Sequence, residues 1–518
     1  MNRRRFLLGR PNDDANGTPA PLLSASSYLT PYTPTPDKPW NAARAAHLIR
    51  RTGFGVTQAE LTAALASDPA TLVDAMLQPY TNPTLFWSWT QQPPLDPTAY
   101  TQEERNQIYS TWIRDVQFWW IGMMMTAGVK LREKMTLFWH GHFVSEFPKV
   151  EVAQYMYDQN RLLRQFAFGS YKDLTKQITI NPAMLIYLDG NGSAKGSPNE
   201  NYARELMELF TLGTGHYADN TPHYTEQDVI EMARALTGWD VNGREASFTL
   251  DKFDDDDKTL FGQTGNFGIE GYGEHDALEL IFAQTDADYN IARPAIFLCS
   301  KLYQFFVYEV PNMDIVQGMA ATLVANNWNV GPVLRQLFLS EHFFDDQVIG
   351  AMMKSPVDMV MGAMNAFSLK ITINVDPGDP ESHDPVRAMT FLSQTILYPP
   401  NVKGWPGGKS WISTATLPMR IRYLKLWIDP PDLPTTAPYG FEPTTFIKSL
   451  PDPGDVHKVV DALVTLLLPV PISDNAKSVI LTTLLGGAPD YEWDPDQFEQ
   501  KIRAGIIKIT SLAEYQCM

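Results

Sequence analysis

Ser197-Pro198-Asn199-Glu200-Asn201-Tyr202-Ala203-Arg204-Glu205-Leu206-Met207-Glu208-Leu209-Phe210 reads as a helix with a marked start and a divided surface. Ser197 suits the N-cap. Pro198 suits the first helical position, where its missing N–H costs nothing, and Glu200 completes a capping box. Tyr202, Leu206, Leu209 and Phe210 make an apolar face, Arg204 stands four residues from both Glu200 and Glu208, and Gly213 and Gly215 supply the stop. Asn201, Glu205 and Glu208 recur at i, i+4 and i+7 and share one polar stripe. Carboxylate metal sites of helical bundles use that spacing, and so do ion pairs to a neighbouring helix.

Helical spacing continues on both sides. A second cap at Thr225 to Asp228 opens a helix bearing Val229, Met232, Leu236 and Trp239. Apolar residues at three-to-four spacing mark 41–51, 60–66, 103–126, 129–143 and 151–168 upstream, and 293–310, 313–326, 333–339 and 357–367 downstream. Strand signals concentrate at the turn Val241-Asn242-Gly243-Arg244 and the following Ser247-Phe248-Thr249-Leu250. The expected fold is therefore mainly α, a large multi-helix body with a small β-hairpin excursion near residues 240–262. A Pro-, Thr- and Ser-rich stretch predicts a mobile arm over 1–40. The main helical domain is expected over 41–428, and beyond the Pro-rich loop 429–443 a C-terminal helical segment, 429–518, packs on it.

Composition removes several functions. Asp plus Glu number 59 against 41 Lys plus Arg, a formal net charge of -18, which repels a phosphate backbone and argues against nucleic acid as a partner. The two cysteines, Cys299 and Cys517, lie too far apart in sequence to suggest a disulfide framework or a thiolate zinc site. Apolar runs such as Val459 to Pro469 fall short of the roughly 20 residues that span a bilayer. The start Asn2-Arg3-Arg4-Arg5-Phe6-Leu7-Leu8 has a twin-arginine look, but Gly9, Arg10, Pro11, Asn12, Asp13 and Asp14 replace the apolar core an export signal needs. That favours the cytoplasm, or the periplasm or exterior if the chain leaves with a partner.

Phe138-Trp139-His140-Gly141-His142-Phe143 is the densest imidazole and aromatic cluster. In a regular helix His140 and His142 point about 200° apart, so both reach one metal only if the helix ends or distorts near Gly141. Otherwise each satisfies a backbone group. The run Asp254-Asp255-Asp256-Asp257-Lys258 lacks the spacing of a calcium loop and reads as a solvated turn. Pro399-Pro400-Asn401-Val402-Lys403-Gly404-Trp405-Pro406-Gly407-Gly408 lacks the ending of a phosphate-binding loop, and Trp405 and Trp411 read as packing residues. No Gly-x-Ser-x-Gly elbow, His-Glu-x-x-His motif or Cys/His nucleophile pairing is present.

Several blocks occur in order: Ala46-His47-Leu48 to Gly53-Phe54-Gly55, the 138–143 cluster, Asn181-Pro182-Ala183-Met184 to Asp189, Pro198 to Glu205, Ala235-Leu236-Thr237-Gly238-Trp239, and Gly404 to Gly408. Together they resemble the bacterial family catalogued as domain of unknown function 1800, over about residues 43–425. The resemblance implies no established reaction. It implies twin-arginine signals in many members and a frequent neighbour, a sulfatase-like family catalogued as domain of unknown function 1501. This chain departs from the pattern by lacking the signal's apolar core and by carrying Phe253 and Arg293 where histidine is frequent.

Two functions follow as expectations. One is a metal-dependent enzyme, with His140, His142, Glu205 and Glu208 as ligands of a divalent transition metal, and Asn199, Asn201 and Glu205 as candidates for catalysis or for orienting substrate or water. The other is a non-catalytic binding or assembly protein whose partner is the sulfatase-like neighbour.

Overall fold

Among the described residues, four reciprocal capping boxes punctuate the chain. Thr57 with Glu60, Thr101 with Glu104, Thr225 with Asp228 and Ser355 with Asp358 open the helices Gln58–Leu65, Gln102–Met125, Glu226–Ala235 and Pro356–Ala366. The computed structural model describes residues 28–79, 87–215, 222–369, 384–430 and 441–518. The twin-arginine-like start and most of the Pro-rich loop 429–443 lie outside them.

The fold is mainly α. At its centre lies the helix Lys130–His142, in which every residue but Gly141 is buried. It packs on Ala42–Thr52, Gln102–Met125 and Ala153–Gln165. Its charged residues survive burial because each has a carboxylate, guanidinium or carbonyl partner, as an uncompensated buried charge would cost several kcal/mol. Glu133 takes Arg164 in two parallel bonds of 2.7 and 2.8 Å, and Lys134 pairs with Asp358.

The β-excursion is present and somewhat larger than a single hairpin. Trp239–Asn242 pairs antiparallel with Glu245–Phe248, and Lys258–Leu260 with Gln263–Gly265. The second turn places both Phe261 (φ 49°) and Gly262 (φ 75°) in the left-handed region that suits a two-residue hairpin. A short parallel pair, Phe267–Gly268 with His275–Asp276, follows.

Three local expectations change. The arm expected over 1–40 is anchored in its last part: Tyr32 N–H donates to Leu339 O at 2.6 Å and Glu341 N–H to Thr30 O at 2.8 Å. The acidic turn is ion-paired where a solvated turn was expected. Asp254 is 5% exposed and holds Arg234 at 2.7 Å, while Asp255 and Asp256 share Lys195. The helix expected from Ser197 starts later, with Asn199 as its N-cap. The Asn199 carboxamide oxygen accepts from Asn201 N–H at 2.8 Å and its NH2 donates to Asp189 O at 2.7 Å, and Asn199 N–H donates to Ser193 Oγ at 3.0 Å. A cap anchored at three points displaces the local box that Ser197 and Glu200 could have formed.

The C-terminal segment is tied to the body through buried arginines and a chain-to-chain seam. Arg50 donates to Leu466 O and Leu468 O, and Met353 pairs antiparallel with Cys517. Among the described residues, no helix is long and apolar enough to cross a membrane.

Candidate functional site

The α-helix Glu200–Glu205 widens into a π-turn over Leu206–Thr211. Such a turn leaves late carbonyls without partners in the helix and often sits at functional positions. Here side chains from distant elements close three of them. Phe210 O accepts from His142 Nε2 at 3.0 Å and from the Tyr171 hydroxyl, and Leu209 O accepts from Lys301 Nζ at 2.9 Å. Arg293 donates to Leu212 O at 2.8 Å and to Asp286 at 2.9 Å. Arg293, one of the two departures from the resembled pattern, is thus buried at the same helix end. Phe253, the other departure, is buried beside Phe248 with ring centroids 5.6 Å apart.

The two histidines face different neighbours. The helix ends at His142, with Phe143 as its C-cap. A bond to a carbonyl fixes His142 with its proton on Nε2, so Nδ1 accepts from Lys301 Nζ at 3.3 Å. Both ring nitrogens are engaged. His140 Nε2 accepts from Leu397 N–H at 3.3 Å, between Trp120 and Trp405 at centroid distances of 5.6 Å. Burial holds the His140 pKa down at about 4. It also lowers that of His142, helped by the Lys301 charge and opposed by the Phe210 carbonyl. Desolvation also lowers the Lys301 ammonium to about 7.

The loop at 399–408 locks onto this helix. Gly404 has φ 76°, and a Cβ there would lie 2.7 Å from Gly141 O, so only glycine permits the approach. That contact brings Lys403 toward Glu205.

The outer side of the 200–211 helix is polar and less compensated. Glu205 and Glu208 are half-buried and Asn201 is exposed. Arg204, expected beside Glu208, instead takes Glu226 in two bonds of 2.9 and 2.7 Å and lies 3.7 Å from Glu200. Glu208 accepts from the Tyr224 hydroxyl at 3.2 Å. Glu205 makes no hydrogen bond or ion pair among the described residues, and its pKa is raised by desolvation and then by the Glu208 charge, with Lys403 and Arg204 opposing. The Tyr187 pKa is pushed up to about 12 by burial first, and then by the Glu146 and Glu205 charges. Beside Tyr224 opens a cleft of about 430 Å³ lined by Gln227, Thr259, Phe261 and Gln284.

The structure brings Glu205 and Glu208 together and turns His140 and His142 away onto backbone groups. Among the described residues, the one group of three acidic, histidine or cysteine side chains with ligand atoms within 4.8 Å of one another is Asp254, Asp255 and Asp256, already paired with Arg234 and Lys195. As placed, His140, His142, Glu205 and Glu208 do not fit a divalent transition metal as a set, since His142 has no lone pair to spare. Asn199 is spent on its cap. Sequence reasoning missed Lys301, whose signal was a single lysine inside the apolar run 293–310, and it missed Tyr187 and Tyr224, which carried no signal at all.

The fold and site define a large helical protein with an inward-facing histidine cluster and an outward-facing carboxylate and tyrosine arc. The chain belongs to the DUF1800 family, described as a protein of unknown function, whose model matches residues 47–516. The match thus extends through the C-terminal segment. No curated protein and no solved structure matches the chain.

Proposed function

We propose that this protein is a non-catalytic assembly protein that offers the arc of Glu205, Glu208 and Tyr224 to a cationic group on a partner protein. The observation that carries the reading is Glu205, half-buried and raised in pKa, without a hydrogen bond or ion pair among the described residues. A partner's Lys or Arg would relieve the repulsion from Glu208 and supply the missing charge-assisted bond. The inward engagement of both histidines supports a structural role for their block, and the family resemblance supplies the partner class, a sulfatase-like protein.

The experiment is purification of the untagged protein from its native cell, with stoichiometry of bound protein and bound metal both measured. A sulfatase-like protein retained at near equal amounts, and released when Glu205 and Glu208 are both changed to Lys, is the expected result. A lone monomer carrying one equivalent of transition metal, kept after dialysis and lost on His142→Ala, would overturn it in favour of the metal-dependent enzyme.

A further inference from the structure

Ile269, Glu270, Gly271 and Tyr272 make a tight turn, closed by Tyr272 N–H donating to Ile269 O at 3.1 Å. Both central residues are left-handed, Glu270 at φ 54° and Gly271 at φ 83°, a geometry that suits Asn, Asp or Gly and disfavours the longer Glu. The turn is fixed by its neighbours. The Tyr272 ring stacks on Phe248 with centroids 3.4 Å apart, and a Cβ at Gly268 would overlap Tyr272 O, so only glycine fits there. The Glu270 side chain is exposed and makes no hydrogen bond or ion pair among the described residues. It gives the fold nothing that a better turn former would not supply.

Glu270 lines a cleft of about 320 Å³. Leu162, Gln165 and Phe166, at the end of the helix Ala153–Gln165, contribute to it, and so do Asp173, Lys176 and Gln177 from the helix Tyr171–Thr179. The Lys176 charge is already matched: its ammonium pairs with Asp276 at 2.8 Å and Glu279 at 3.0 Å, and Glu279 also takes Lys172. Those two lysines and two carboxylates cancel. Asp173 and Glu270 remain as unmatched negative charges on the cleft. The side chains of Asp173, Gln165 and Gln177 are exposed and make no hydrogen bond or ion pair among the described residues. Leu162 and Phe166, half-buried, add apolar surface. Among the described residues the one group of three side chains able to share a metal ion lies elsewhere, at Asp254, Asp255 and Asp256, so the cleft lacks the ligand number that calcium requires.

We propose that this cleft is a binding site for a small organic cation bearing a primary ammonium group, an aliphatic polyamine or an amino sugar. The ammonium donates to the Asp173 and Glu270 carboxylates, and the Gln165 and Gln177 carboxamides take the remaining polar groups. The carbon skeleton covers Leu162 and Phe166, whose ring face also attracts a cation. The volume stands at the small end of small-molecule sites, which run from roughly 300 to 1,000 Å³. A residue held in an unfavoured backbone region for the sake of its side chain is a mark of such sites.

The full chain is titrated calorimetrically near pH 7 and at low salt with spermidine and, separately, with glucosamine. Butanediol and N-acetylglucosamine serve as neutral counterparts. Saturable one-to-one binding of an amine, with none of its neutral counterpart, is the expected result. Spermidine alone assigns the site to polyamines, and glucosamine alone assigns it to amino sugars. Glu270→Asn suits the turn better, so its Tm is expected to equal or exceed that of the wild type while the affinity falls about tenfold. Asp173→Asn is expected to weaken binding to a similar degree. Absence of saturable binding by both amines would overturn the proposal. So would wild-type affinity in Glu270→Asn, or displacement of the amine by magnesium chloride beyond that by sodium chloride at equal ionic strength, which would make the cleft a loose counter-ion site.

Discussion

The inner and outer sides of the 200–211 helix obey different rules. On the inner side three late carbonyls are closed by donors from distant elements, Phe210 O by His142 and Tyr171, Leu209 O by Lys301, and Leu212 O by Arg293. On the outer side Glu205 and Glu208 crowd each other with one hydrogen bond between them, from Tyr224. An inner polar group that lost its partner would keep its full desolvation cost, so those partners are fixed by folding. The outer carboxylates tolerate an unfinished arrangement because water reaches them, which is the condition for recognition by another molecule.

The largest expected effect lies in the inner region. Glu133→Ala leaves Arg164, at 0% side-chain exposure, without its bidentate partner, and breaking such a buried pair costs about 3 to 5 kcal/mol. Urea unfolding measures it, and a cost under about 1 kcal/mol would mean the helix Lys130–His142 is less tightly enclosed than described.

Acid sharpens the same contrast. His140 has its folded pKa lowered to about 4 from an unfolded value of 6.5, so the unfolded chain binds more protons between these values. Its contribution is complete above about pH 6.5 and is lost as pH falls toward 4, by about 3 kcal/mol in all. His47 and His142 are shifted in the same direction. Denaturant midpoints are expected to fall steadily from pH 7 to pH 4.5, and a midpoint that rises on acidification would contradict the buried neutral state.

Gly404→Ala tests the joint between the two regions. The left-handed backbone and the 2.7 Å approach to Gly141 O put its cost at about 2 kcal/mol, read as a lower Tm. At the small end, Asp74→Ala removes the exposed partner of Arg335 and is expected to change stability by at most about 0.5 kcal/mol.

Much of the fold was legible because local chemistry fixed it. The expected spans 103–126, 129–143 and 313–326 meet observed helices at Gln102–Met125, Lys130–His142 and Met313–Ala325, and the Thr225 box forms as read. The Ser197 box failed where a tertiary anchor, Asn199 on Asp189 and Ser193, outcompeted a local one. The site was less legible for a related reason. The partners of His142 and His140 lie 68, 159 and 257 residues away, and two of the three groups are backbone atoms, which any residue type could supply. The Glu205 and Glu208 pairing was legible from spacing, and its partner Tyr224 was not.

The most direct measurement is the affinity of a Glu205→Gln, Glu208→Gln double variant for the proposed sulfatase-like partner, with thermal unfolding followed in parallel. Both changes remove charge from a crowded, half-buried pair while keeping its shape, so the Tm is expected to stay within about 3 °C of the wild type while affinity falls at least about tenfold. Unchanged affinity, or a variant that no longer folds, would contradict the assignment of the outer side to recognition.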